Sequence, residues 1–138
     1  MRAPAFEMIF VVCGLWLIGL GLYFAFSRPA LLPEDLRYIG ASVQDIQAAA
    51  PGIAGWLHRV FTVMGGFIIG TGILSIAVAT NASRMRKNVA LSVFALVGSS
   101  SVGLMSLTNF QLDSDFKWLL LIPPVLWLAG LISYQRHS

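Results

Sequence analysis

Charged residues are scarce in this chain. Only 11% of its 138 residues are Asp, Glu, Lys or Arg, whereas 57% are hydrophobic and the mean hydropathy is +0.80. Soluble domains carry about 25% charged residues, so this chain could not cover a water-exposed surface with polar groups. The composition therefore excludes a soluble globular protein and predicts an integral membrane protein.

Cysteine and histidine are nearly absent. Cys13, the only cysteine, has no second cysteine with which to form an internal disulfide. His137 lies beside the C-terminus, and His58 lies at the edge of an apolar stretch. Structural zinc sites usually take four Cys or His ligands, and a haem within a helical bundle needs histidines inside the membrane. The sequence therefore predicts neither a metal nor a cofactor.

A basic stripe is also lacking. The net charge is +3, from 9 basic and 6 acidic residues scattered along the chain. Binding to nucleic acid requires basic residues clustered on one surface. We therefore expect membrane lipid and membrane proteins as partners, and no nucleic acid.

The charges separate four apolar stretches, and each is long enough for one helix of about 20 residues to cross a bilayer. The charge-free stretches are residues 8–27, 60–83, 88–112 and 118–135. They predict an all-α protein, an integral membrane four-helix bundle forming a single domain, with spans at about 8–27, 56–80, 88–109 and 117–134. The charge-free stretches hold no Asp, Glu, Lys, Arg or His, which disfavours ion-coupled transport.

Basic residues near the span ends predict the orientation. Arg84, Arg86 and Lys87 lie close together in the short loop between the second and third spans. Arg2 and Arg136 fall on the same side if there are four crossings. The other side carries nearly as many Lys and Arg residues in total, but they are spread over longer segments. We therefore predict that both termini lie in the cytoplasm.

The longest segment between spans is residues 28–54, on the predicted outer side. Pro33 is typical of a helix start, and Ser42 followed by Asp45 resembles a capping box. Gly40 divides the segment into two short pieces. We interpret it as an amphipathic helix or helix pair across the outer mouth of the bundle, with a simple packed connector as the alternative.

Small residues recur at intervals of four in the second and third spans. They are Gly66 and Gly70, and then Ala95, Ser99 and Gly103. Such rows let helices approach closely inside lipid. They predict packing among the four helices, with a homodimer contact as the alternative.

The candidate outer-face polar site comprises His58, Arg59, Asp45, Asp113 and Asp115. We expect His58 or Arg59 to contact one of these carboxylates and so form a lid over the bundle. The alternative is that His58 and Arg59 anchor the helix at the lipid head groups, while Asp113 and Asp115 cap the fourth span.

Ser99, Ser100 and Ser101 stand consecutively within the third span. Three adjacent side chains cannot all face one neighbouring helix. We expect their hydroxyls to bond to backbone carbonyls one turn back. A polar cavity between the helices is the alternative.

The chain resembles the small bacterial four-helix membrane proteins grouped as DoxX-like. The resemblance lies in the length, in the longer first outer loop and in the glycine-rich run from Met64-Gly65-Gly66 to Gly70-Thr71-Gly72 that follows His58-Arg59. It implies a bacterial inner-membrane protein, sometimes associated with a quinol-linked enzyme. No functional residue is carried across from that group.

Three functions fit the sequence. The first is a non-catalytic accessory subunit or small oligomeric module, which the small-residue rows favour. The second is a binder or facilitator of a lipid or hydrophobic small molecule. The third is a membrane enzyme with an outer-face site at His58 and Arg59.

The predicted orientation can be tested with reporter fusions. Fusions after Lys87 and after Ser138 are expected to report a cytoplasmic position, and a fusion at Ala48 an external one, because the basic loop is retained inside. An external signal after Lys87 would overturn the orientation.

Overall fold

The structure, a computed structural model, describes residues 4–137 and contains four long helical stretches joined by short connections. The stretches that are long and apolar enough to cross a membrane are Ala5–Phe26, Ile53–Arg84, Lys87–Gln111 and Leu119–His137. No strand occurs within the described range. The prediction of an all-α four-helix membrane protein is confirmed.

The helices are numbered in chain order. They are α1 (Ala5–Phe26), α2 (Pro33–Ile39), α3 (Val43–Ala49), α4 (Ile53–Asn81), α5 (Lys87–Gly98), α6 (Leu104–Gln111) and α7 (Ile122–His137). Short 3₁₀ turns at Ala82–Arg84 and Leu119–Leu121 extend α4 and precede α7, and a π-helical segment, Ser99–Gly103, joins α5 to α6. The predicted division of the first outer segment into two short helices is thus observed as α2 and α3.

Helices α1 and α4 pack backbone to backbone along a row of glycines, here called the glycine seam. It consists of Gly14 and Gly21 on α1 and Gly65 and Gly72 on α4, all of them buried. A Cβ atom added to Gly65 would lie 2.5 Å from the carbonyl oxygen of Gly21, and one added to Gly72 would lie 2.6 Å from that of Gly14. Only glycine permits this approach, which maximises van der Waals contact where lipid removes the hydrophobic driving force.

Gly66 and Gly70 are not part of the seam, so the expectation that they pack within the bundle is wrong. A Cβ atom at either position would have no neighbour within 4 Å. Successive residues of an α-helix are about 100° apart. The turn that directs Gly65 toward α1 therefore directs Gly66 away from it.

The predicted row on the third span is also wrong as a packing face. Ala95 and Ser99 are exposed, and a Cβ atom at Gly103 would meet only the carbonyl group of Gly98 in its own span. The close contact is made by Gly98 instead, where an added Cβ would collide with the indole of Trp127. The packing face of this span follows Phe94, Gly98 and Val102, all buried.

The three consecutive serines lie where the third span changes its helical form. Ser99 and Ser100 donate to the carbonyl oxygen of Leu96, at 3.1 and 2.7 Å, and Ser101 donates to that of Val97. The expectation of bonding to carbonyls one turn back is confirmed. Hydroxyl groups that share these carbonyls with the backbone accompany a local widening of the helix into the π form.

The core lies at the end of the bundle that carries both termini, hereafter the basic end. The rings of Phe10 and Phe94 stack with centroids 3.9 Å apart. The indole nitrogen of Trp127 donates to the carbonyl oxygen of Phe94 at 2.8 Å, and the Tyr134 hydroxyl donates to that of Ala82 at 3.2 Å. Side chains of α1, α5 and α7 and the end of the second span therefore meet in one buried cluster.

The glycine seam can be tested by comparing two substitutions. Gly65→Ala is expected to lower the melting temperature in detergent, because the new methyl group meets backbone atoms and overpacking typically costs about 1–3 kcal/mol. Gly19→Ala is the matched control, because a Cβ atom at Gly19 has no neighbour within 4 Å. It should leave stability unchanged or raise it, because alanine is the better helix former by about 1 kcal/mol. Equal melting of the two variants would contradict the seam.

Candidate functional site

The predicted polar site lies at the end of the bundle opposite the termini, hereafter the acidic end. It is built from α2, α3 and the loop 112–118. Helix α2 starts after Leu32, whose backbone N–H donates to the Asp35 carboxylate at 2.8 Å, and it stops at Gly40, where φ is +73°. A positive φ favours glycine, so the chain turns here before α3 begins.

Ser42 and Asp45 form the capping box that the sequence predicts for α3. The backbone N–H of Asp45 donates to the Ser42 hydroxyl oxygen, and the backbone N–H of Ser42 donates to the Asp45 carboxylate, both at 3.1 Å. The Ser42 hydroxyl also donates to the Asp45 carboxylate, and this bond, together with that from the Ser42 backbone N–H, lowers the pKa of Asp45. Asp45 is therefore engaged in starting its own helix rather than in a site shared with α4.

Arg28 fixes the start of the outer segment to the bundle. Its guanidinium lies 3.8 Å from the centroid of the Phe61 ring on α4, and it donates to the Asp35 carboxylate at 3.1 Å. A cation over an aromatic face is attracted by the ring quadrupole. This side chain therefore connects α2 to the acidic end of α4.

Helix α2 also binds the loop 112–118 through a buried contact, here called the latch. The Ser114 hydroxyl donates to the Glu34 carboxylate at 3.2 Å, and the two residues are only 2% and 4% exposed. Nearby, Arg37 donates to Asp115 at 2.7 Å. This hydrogen bond raises the pKa of Arg37. Helix α2 is thus held over the fourth span by one buried and one exposed contact.

Lys117 engages the remaining predicted carboxylate. Its ammonium group pairs with Asp113 four residues earlier, and this hydrogen bond lowers the pKa of Asp113. The same loop is closed by Ser114, whose hydroxyl accepts from the backbone N–H of Phe116 at 3.2 Å. Residues 113–117 therefore stabilise the turn that leads into the fourth span.

The expected contact of His58 or Arg59 with an outer carboxylate is wrong. Both side chains are exposed, and neither makes a hydrogen bond or ion pair with any residue in the range 4–137. The described bonds of α2 to the loop 112–118 are made instead by Glu34 with Ser114 and by Arg37 with Asp115. The alternative, that His58 and Arg59 anchor the helix at the lipid head groups, stays a prediction.

Sequence reasoning missed the latch because its two residues are 80 positions apart. Glu34 carried only a local signal, an acidic residue in the first turn of a helix. Ser114 carried the signal of a cap between two aspartates. Neither pattern indicates that the two side chains become buried against each other.

The chemistry available to this arrangement is limited by burial. Within residues 4–137, no group of three or more His, Cys, Asp or Glu side chains is placed to hold a metal ion. Ser114 and Glu34 form a hydroxyl–carboxylate pair, but a substrate cannot reach side chains that are almost fully enclosed. The latch therefore acts as a structural contact.

The latch can be tested by a double-mutant cycle. Ser114→Ala is expected to lower the free energy of unfolding by about 1–3 kcal/mol, because it leaves a buried carboxylate without its donor. The same substitution in a Glu34→Ala background should cost less, and Ser83→Ala serves as an exposed control. An equal cost in both backgrounds would mean that the two residues are not coupled.

No protein-family model, curated protein or solved structure matches this chain. The resemblance to DoxX-like proteins stays a prediction from length, loop and glycine pattern. The four-helix arrangement is shown by the structure alone, and the comparisons with known proteins suggest no function for the chain.

Proposed function

We propose that this chain is a non-catalytic inner-membrane protein, with both termini cytoplasmic, that works as a small oligomeric module. The observation that carries the proposal is the outward face of α4, which has a hollow of bare glycine backbone beside a ridge of large apolar side chains. An accessory role toward a different membrane protein is the alternative within the same class.

Polar side chains within the spans support a non-catalytic role, because they bond to the protein's own backbone. Ser99, Ser100 and Ser101 bond to carbonyls of their own span, and the Trp127 indole bonds to the Phe94 carbonyl. Each of these groups stabilises a helix or a helix pair. The enzyme alternative depends on His58, Arg59 and the aspartates acting together, whereas Asp45, Asp113 and Asp115 bond to Ser42, Lys117 and Arg37.

The outward face of α4 combines the hollow and the ridge. Gly66 and Gly70 provide the hollow, because a Cβ at either would meet nothing. Phe67 and Leu74 form the ridge beside it, with 75% and 66% of their surfaces exposed. No charge lies on α4 between Arg59 and its end at Asn81, so this face belongs within the hydrocarbon.

A second copy of the chain is the occupant that this shape favours. Two copies related by a two-fold axis present the same surface to each other, so the ridge of one α4 enters the hollow of the other. Close helix approach over glycine is also the packing mode that the chain uses internally at Gly21 and Gly65. Both copies then have the same orientation in the membrane.

Cysteine cross-linking in the membrane tests this assembly. In a Cys13→Ala background, Gly70→Cys is expected to give an oxidised dimer, because the two-fold contact brings the two copies of residue 70 together. Leu96→Cys is the matched control, since it also lies near the middle of its span and is 69% exposed. Absence of a dimer from Gly70→Cys, or equal dimer from both variants, would contradict self-association through α4.

A further inference from the structure

Helices α1 and α7 leave an open groove between them at the basic end of the bundle. Its volume is about 510 Å³. Six of the residues that line it are Ala5 on α1 and Ala129, Ile132, Ser133, Arg136 and His137 on α7. The groove therefore reaches from the apolar interior of the span to the polar last turn of α7.

Small side chains create this groove. On one side of the junction the two helices touch tightly, since a Cβ added to Gly130 would lie 2.9 Å from the ring of Phe10. On the other side Ala5 and Ala129 line the groove, and their methyl groups fill little of the space between the helices. The floor of the groove is therefore apolar.

The rim of the groove is cationic and is not neutralised by the described protein. Arg136 and His137 are exposed, and neither forms an ion pair with a residue in the range 4–137. Glu7 is the only acidic side chain at this end of the chain, and it does not line the groove. The rim therefore offers positive charge and hydrogen-bond donors to an anion from outside.

The same junction continues toward the middle of the membrane. A smaller hollow of about 20 Å³ lies further along it, lined by Val12 and Trp16 of α1 and by Ile122 and Leu126 of α7, among others. From Arg136 to Ile122 the helix rises by about 21 Å, whereas one leaflet of hydrocarbon is about 15 Å thick. The two hollows lie on the same side of the α1–α7 junction, because Ala5, Val12 and Trp16 share one face of α1, and Ile122, Leu126, Ala129 and Ser133 share one face of α7. Together they form what is here called the furrow.

Other cations strengthen the attraction at this end. Arg84 and Arg86 are exposed beside the groove's end of the bundle, and Lys87 reaches the backbone carbonyl oxygen of Gln135 on α7 at 3.2 Å. Basic pockets between transmembrane helices are suited to anionic lipid head groups. The basic rim of the groove therefore suits an anionic head group, and its apolar floor suits a hydrocarbon chain.

From this arrangement we infer that the α1–α7 groove binds an anionic phospholipid. The phosphate group contacts Arg136 and His137, Ser133 offers a further hydrogen bond, and one acyl chain lies along the furrow toward Leu126. A zwitterionic lipid fits the furrow less well, because its ammonium group meets the Arg136 guanidinium. This site is on a different face from the α4 contact and does not depend on self-association.

Lipid retention by the full-length protein tests the inference. Delipidated protein in a neutral detergent is incubated with phosphatidylglycerol or phosphatidylcholine, and the bound lipid is measured by native mass spectrometry. Phosphatidylglycerol is expected to be retained in preference. Arg136→Gln should weaken that binding by about tenfold or more, as expected for loss of a charge-assisted hydrogen bond.

Two further variants separate the groove from general surface charge. Arg84→Gln removes the same charge at the same end but lies outside the groove, so it should keep the preference for phosphatidylglycerol. Ala129→Leu fills the floor of the groove with a side chain that faces lipid, so it should reduce retention while the melting temperature without added lipid stays unchanged.

Three results would overturn the inference. The first is equal retention of the two lipids by the unsubstituted protein. The second is equal weakening by Arg136→Gln and Arg84→Gln, which would indicate a diffuse electrostatic attraction. The third is displacement of phosphatidylglycerol by inorganic phosphate at the same concentration, which would show an anion site that makes no use of the acyl chain.

Discussion

Backbone contact between α1 and α4 is the constraint on which the rest of the bundle depends. In water, apolar side chains would drive two helices together, but lipid chains solvate leucine and valine as well as a protein does. Close packing must therefore supply the attraction, and glycine supplies it by removing the side chain at the contact. Once Gly21 and Gly65 fix this pair, α1 presents Phe10 to the third and fourth spans, where its ring meets those of Phe94 and Trp127.

The two ends of the molecule are held by different forces. At the basic end the contacts are aromatic and buried, and they involve side chains of every span. At the acidic end the contacts that join α2 and the loop 112–118 are polar, and most of them are exposed, with Arg28 and the latch as the more buried exceptions. The acidic end is therefore the part of the structure whose stability responds most to ionic strength.

The sequence was sufficient for the architecture, because the spacing of charges marks where a chain leaves the hydrocarbon. It was also sufficient for local devices such as the Ser42–Asp45 box and the serine-to-carbonyl bonds, which involve residues within four positions. The sequence did not predict how each helix is rotated about its own axis, and so which residues face a neighbouring helix. Gly65 and Gly66 are adjacent glycines in the same span, and only the position of α1 decides which of them packs. The latch shows the same limit, because a buried Glu34 depends on a loop far along the chain.

The π-helical segment in the third span has a consequence for that span as a whole. A π turn takes in about one residue more than an α turn, which amounts to a rotation of roughly 100°. Residues spaced by four drift by about 40° per step around an α-helix, so the extra residue turns such a row back toward its original side. The buried residues of this span keep that spacing, from Ala90, Phe94 and Gly98 in α5 to Val102 in the π segment and Ser106 in α6. The serine triplet thus lies where the helix is adjusted so that one continuous span keeps a single buried face.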